Sequence, residues 1–244
     1  TIINGNTLEY EYLTQGSYGA GFYWLSNSTL TDVIIKNNHA SNGEGGGIYF
    51  QHSVENVILE NVTIKNNTTS NSGGGIYCGD NSNISLISVS ILNNNSSSGY
   101  GAGICALYST LNIDSSIVTN NSNNGYAEGG GIFLSSSALI ISNSIVSDNS
   151  ANRFGGICVY TSSSLEANKV LFDANISSNN GSAIGTVSAG TVNLTNCTFV
   201  NNTGSDWWGR AIYAETGITI KNSISYNNTP GDYCSNNGAI NVTY

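Results

Sequence analysis

The chain has 244 residues and a net charge of −9, with 9% charged and 39% hydrophobic residues. Its six basic side chains, Lys36, Lys65, Arg153, Lys169, Arg210 and Lys221, are too few to hold nucleic acid or an anionic membrane, both of which are bound through Lys and Arg. No apolar run approaches the roughly 18 residues of a membrane helix, and the periodic placement of the apolar residues excludes a disordered chain.

Taken in order, Thr1-Ile2-Ile3-Asn4-Gly5-Asn6 reads as the end of a structural repeat, comparable with Val62-Thr63-Ile64-Lys65-Asn66-Asn67. The segment Glu9–Gln15 lacks any repeat and is expected to form a partial N-terminal cover, so residues 1–18 form an edge segment and 19–244 the repeat domain. The start at Thr1 and the absence of Met fit a processed or excised segment. Gly19-Ala20-Gly21-Phe22 is a degenerate first copy of a signal that becomes clear at Gly45-Gly46-Gly47-Ile48-Tyr49. It recurs at Gly73-Gly74-Gly75-Ile76, Gly101-Ala102-Gly103-Ile104 and Gly129-Gly130-Gly131-Ile132, then more weakly before Ile157, Ile184, Ile212 and Ile240. The steps between these isoleucines are 28, 28, 28, 25, 27, 28 and 28 residues. A fixed period of this length marks a stacked-repeat architecture.

Each repeat holds three short strand patterns and no helical period, as in Gly103–Ala106, Leu111–Ile113 and Ser116–Val118. Counted back from Asn66, Asn93, Asp148 and Asn201, apolar residues stand at −9, −7 and −2, for example Val57, Leu59 and Ile64. One coil cannot bury such a row, but stacked coils can. These patterns predict an all-β right-handed single-stranded parallel β-helix of about eight to nine coils of 25–28 residues, since parallel crossovers are right-handed. At the strand spacing of about 4.8 Å it would be roughly 40 Å long. The Gly before each Ile is expected to give positive φ and close coil contact. The Asn after the third strand is expected to adopt the left-handed conformation and to stack as an amide ladder. Length variation is expected in the loop leading to the next Gly.

The paired signals Gly-Gly-(Ala/Gly)-Ile and Phe-x-x-Asn, the latter literal in Phe199-Val200-Asn201-Asn202, resemble the repeats of chlamydial polymorphic outer-membrane proteins. The Asn- and Thr-rich stretch Asn193–Phe199 is similar to adhesin-like surface proteins of methanogenic archaea. The resemblance covers residues 19–244 and implies a surface-exposed adhesin or wall component.

Carbohydrate-active enzymes share this fold, and a lyase among them needs clustered carboxylates with a Lys or Arg base. Here the acids are scattered. Glu128 and Arg153 share a register one coil apart and are expected to form a surface ion pair. Asp206 and Glu215, flanking Arg210 beside Trp207, Trp208 and Tyr213, form the candidate glycan-binding patch, with no catalytic residue assigned. His39 and His52 lack metal-ligand spacing, so neither metal nor cofactor is expected.

The residue after each corner Ile should point outward, giving an apolar stripe of Tyr23, Tyr49, Tyr77, Cys105, Phe133, Cys158 and Tyr213: either a stabilising stack or an exposed interface. Five Cys are expected to form no internal disulfide. Cys78 and Cys197 fall in inward registers, Cys105 and Cys158 stand two coils apart, and Cys234 lies in a loop. Candidate N-glycosylation sites include Asn27, Asn61, Asn83, Asn95, Asn175, Asn180 and Asn241, with loop positions such as Asn95 and Asn180 favoured over buried ladder positions.

The reading is a non-enzymatic extracellular, structural or adhesin-like surface protein. It would bind cell-surface glycans and assemble head to tail through Thr1, Ile2, Ile3, Asn4, Ile240, Val242 and Tyr244, without nucleic acid and without membrane insertion. The alternatives are a β-helix polysaccharide lyase or glycosidase and a glycan-binding module.

Overall fold

The computed structural model describes residues 1–5, 7–8, 19–24, 28–50, 53–79, 81–188, 190–205, 208 and 210–243. The expected cover at Glu9–Gln15, together with Asn27, His52, Asp206, Trp207 and Tyr244, lies outside the described residues. Each coil contributes one strand to each of four parallel sheets. In the coil from Ile48 these are Ile48–Phe50 (sheet I), Val57–Glu60 (sheet II), Thr63–Lys65 (sheet III) and Thr68–Thr69 (sheet IV). Sheets I, II and III have nine strands and sheet IV eight among the described residues. The two-residue strand of sheet IV adds a fourth element to the three expected per repeat. Seven coils, from those opening at Phe22 to the one opening at Ile184, carry all four strands, against the eight to nine coils expected. The remaining strands form partial coils at the two ends.

Alternation at period two places one row inside. Ile35, Ile64, Ile91, Val118, Val146, Phe172 and Phe199 stack down sheet III, each at most 1% exposed. The Phe172 and Phe199 rings lie 4.8 Å apart and 4° from parallel. The −9 and −7 rows line the inner face of sheet II, with Val57, Leu59, Ile84 and Leu86 fully buried. Five residues separate the inward positions of sheets II and III, from Leu59 to Ile64 as from Leu194 to Phe199, and five again separate those of sheets III and IV. Length variation therefore falls in two places, the expected loop into sheet I and also the turn from sheet I to sheet II.

The corner chemistry divides between two residues where the sequence pattern suggested one. Asn66, Asn93, Asn120 and Asn201 take positive φ of 53–56°, a conformation Asn tolerates through local hydrogen bonding. The amide ladder is built by the next residue: Asn38, Asn67, Asn94, Asn121, Asn149, Asn175 and Asn202 are all buried. Each ladder Nδ2 donates to the Oδ1 of the next coil, as from Asn94 to Asn121 at 3.0 Å, and each ladder backbone N–H donates to that same oxygen. The first Gly of the clear signals, Gly45, Gly73, Gly101 and Gly129, does adopt positive φ, for example Gly129 at 69°. A Cβ there would lie 2.5 Å from the Ile132 carbonyl oxygen.

The ends carry one further difference. Ile240 does not continue the column of corner isoleucines; it pairs with Ile218 in sheet II. The strand that follows Ile212 in sheet I is Tyr233–Ser235, because the last turn is shortened. At the other end, Ile2–Asn4 pairs with Ile34–Lys36 in sheet III and Thr7–Leu8 with His39–Ala40 in sheet IV. The comparison of Thr1–Asn6 with Val62–Asn67 thus gives the right register, and Ile2–Asn4 and Thr7–Leu8 already belong to the sheets.

Candidate functional site

The outer face of sheet I carries the apolar stripe in register, from Tyr23 through Tyr49, Tyr77, Cys105, Phe133 and Cys158 to Gly185, Tyr213 and Cys234. It points away from the inner core as expected, yet it is not an exposed interface. Only Tyr23 is well exposed, at 41%, while Tyr49, Tyr77, Phe133 and Tyr213 are at most 7% exposed. The loops entering sheet I fold over it and make a second apolar layer. Tyr23, Tyr49 and Tyr77 stack at 5.3 and 5.1 Å. Where the column narrows to Cys105, Tyr100 from the loop stacks on Phe133 at 4.5 Å. Where it reaches Gly185, the Phe154 ring occupies the space a side chain would take, and a Cβ on Gly185 would stand 1.8 Å from Phe154 Cδ1. Phe154 holds a φ of 60° at the register that other coils fill with Gly.

Polar groups are drawn into this cover. Glu128 and Arg153 meet at 2.5 Å, Oε1 to Nη1, and Glu128 is 7% exposed, so the pair is more buried than the surface contact expected. Cys158 Sγ donates to Glu128 Oε2 at 3.6 Å. Arg153 Nη2 lies 4.0 Å from Glu215 Oε1, which accepts from the Tyr213 hydroxyl at 2.9 Å, and the guanidinium covers the Phe154 ring at 4.7 Å. Glu44 occupies the same loop register two coils from Tyr100. Burial raises the Glu44 carboxyl, and burial, with Glu44 beside it, pushes the Tyr77 phenol far above its usual range. Arg153 thus stands between Glu128 and Glu215 in the covering layer.

Of the candidate glycan patch, Trp208, Tyr213 and Glu215 come together. The Trp208 ring meets Tyr213 edge-on at 5.9 Å. Tyr213 is 3% exposed, so its faces are spent on Trp208 and on Phe154, 5.9 Å away. Arg210 turns from Glu215 to donate to the Tyr233 carbonyl at 3.1 Å. Trp208, 38% exposed, is the accessible one of these two patch aromatics.

Among the sequons, Asn175 is a ladder residue with 0% exposure. Its amide is held by Val146, Asn149 and Asn202, so it is closed to modification in the folded chain. Asn61, Asn83 and Asn241 are exposed, and Asn95 and Asn180 half-buried. Asn95 donates to the Ser122 carbonyl at 3.0 Å. Of the expected subunit-contact residues, Thr1 and Ile2 are exposed, while Ile3, Ile240 and Val242 pack against the core as partly buried residues; Asn4 is placed by its backbone in sheet III.

None of the five cysteines forms a disulfide. Cys234 belongs to a strand and not to a loop, in register with Tyr213. Burial raises the Cys78, Cys105, Cys158 and Cys197 thiols, with Glu44 adding to the effect at Cys105 and Glu128 at Cys158. Because the thiolate is the reactive form, a neutral thiol reagent at pH 8 should modify Cys234 alone in the native protein and the other four only after unfolding. Two or more thiols reacting at the native rate would contradict the covered column.

Fold and site together define a parallel β-solenoid with a second apolar layer along one face. A family model described as right handed beta helix region matches residues 1–130 and 126–244. The chain belongs to this family. A comparison with curated proteins finds no match.

Proposed function

We propose that the protein is a non-enzymatic, extracellular, structural or adhesin-like surface component that presents its outer faces to glycans. The observation that carries this reading is how its ionisable groups are used. Described carboxylates that have partners are tied into the scaffold: Glu128 to Arg153 and Cys158, Glu215 to Tyr213, Asp232 to Ser225 and Asn228. At Asp114, hydrogen bonds from Ser142, Asn143 and Ser115 hold the carboxyl below its usual range. The motif likeness to chlamydial and methanogen surface proteins supports the same reading. Labelling intact source cells with antibody should decorate the surface; label only after permeabilisation would refute it. The alternative, a polysaccharide lyase or glycosidase, requires release of unsaturated sugars or reducing ends from an acidic polysaccharide.

Self-association is part of the proposal. At one end the strands of sheets III and IV, Ile2–Asn4 and Thr7–Leu8, stand proud; at the other it is sheets I and II, through Tyr233–Ser235 and Ile240–Thr243. The two steps are complementary, and copies apposed head to tail would share one coil in a heterologous contact that does not close. Deleting residues 1–6 should abolish concentration-dependent light scattering and any filaments in micrographs. A parent chain that stays monomeric, or a truncation that polymerises equally well, would exclude this mode.

A further inference from the structure

One residue of the turn from sheet I to sheet II has no explanation inside the fold. At this corner successive coils place Asn81, Tyr108, Ser136, Ser162 and Ser188, all with φ between 49° and 59°. Asn tolerates this left-handed backbone through local hydrogen bonds, and a bulky aromatic there is an outlier. The ladder pins the backbone: Tyr108 N–H donates to the Ser135 carbonyl at 3.0 Å, and Asn81 N–H to the Tyr108 carbonyl at 2.8 Å. The other aromatic with positive φ among the described residues, Phe154, fills the space above Gly185. Tyr108 fills nothing. It is 59% exposed, and neither its ring nor its hydroxyl has a partner among the described residues.

Its surroundings suggest what the ring is for. Tyr108 borders a shallow concave groove with Asn56, Asn81, Asn83, Thr110 and Glu55. Three of these are amides and one a hydroxyl, which supply both donors and acceptors. No Lys or Arg is present, so an anionic ligand finds no counter-charge. The groups come from three adjacent coils, so donors repeat at about the strand spacing of 4.8 Å. A flat aromatic face beside a row of neutral donors and acceptors suits a ligand with apolar ring faces and equatorial hydroxyls. Backbone strain retained at an exposed position is a recognised mark of a functional site.

We propose that this groove is a binding subsite for a neutral β-linked oligosaccharide, with Tyr108 as the stacking platform and the corner amides as hydrogen-bonding partners. The proposal deepens the glycan-presenting reading but does not depend on where the protein resides, so a failure of surface labelling and a failure of binding are separate results.

The test uses the full chain made in a non-glycosylating host, since Asn83 lies in the groove and begins a sequon. Saturation-transfer NMR and calorimetry with cellohexaose and chitohexaose should show binding of at least one. Tyr108→Ser installs the residue found at this corner in Ser136 and Ser162. It should weaken that binding at least tenfold while leaving the melting temperature unchanged or higher. A purely structural Tyr108 gives the opposite pattern, a lower melting temperature. Tyr126→Ser, at a fully exposed aromatic outside the groove, should leave the affinity unchanged. Absence of binding to both hexasaccharides, equal affinity in Tyr108→Ser, or a melting temperature that falls with that substitution would each overturn the proposal.

Discussion

Asn121→Ala is expected to lower stability by about 3–5 kcal/mol, because a buried partner removed from both sides leaves several polar groups unsatisfied at about 1–3 kcal/mol each. The Asn121 amide donates to the Ile91 carbonyl and to Asn149 Oδ1, both at 3.0 Å, and its oxygen accepts from the backbone and side chain of Asn94, both at 3.0 Å. Ala would strand the Asn94 N–H and the Ile91 carbonyl in an interior that water does not reach. The neighbouring Asn120→Gly is the control. Asn120 holds a φ of 56°, its side chain donates only to Thr119 Oγ1 at 3.3 Å, and Gly accepts that backbone freely, so the change should stay below about 1 kcal/mol. Guanidinium unfolding of the two variants measures the difference. Equal losses would mean that the ladder contributes no more than the corner.

The second large effect concerns the outer layer. Phe154→Gly removes a fully buried ring and should cost about 3–5 kcal/mol through lost burial and the cavity left. Gly185→Phe in the parent should cost more than about 3 kcal/mol, since even its Cβ would overlap the Phe154 ring. The double variant recreates the arrangement at Gly129 and Phe133, with Gly in the corner and Phe in the column. Its stability should return to within about 1 kcal/mol of the parent. Such coupling between two harmful changes is the signature of residues that share one volume. Additive losses would show that the Phe154 ring is not a substitute for the missing column side chain.

Much of the scaffold was legible because it follows elementary periodicities. The inward row through Ile64, Ile91 and Val118 is set by strand alternation, and the column from Ile48 to Ile212 by the repeat length. The left-handed corner at Asn66 and the ladder at Asn67 could not be separated by residue type alone, because both positions read Asn; only the direction of each side chain distinguishes them. Ile240 was misplaced because its 28-residue step from Ile212 matches the repeat while the chain has in fact turned early, through Tyr233. The outward stripe was visible, but its covering was not: Tyr100 and Phe154 reach it from loops whose paths leave no periodic trace. Tyr108 escaped notice for the same reason. Its signal is a departure from Asn and Ser at one corner, and that corner is recognisable only once the coils are aligned in space.

The constant five-residue spacings across sheets II, III and IV have a consequence for how such a molecule changes over generations. A coil touches only the one before and the one after it, and the ladder amide offers the same donor and acceptor at every level. Duplicating or losing one whole unit of coding sequence therefore leaves each new junction looking like an old one. Reach becomes a heritable quantity adjustable in increments of about 4.8 Å, without any redesign of what lies at either side of the splice.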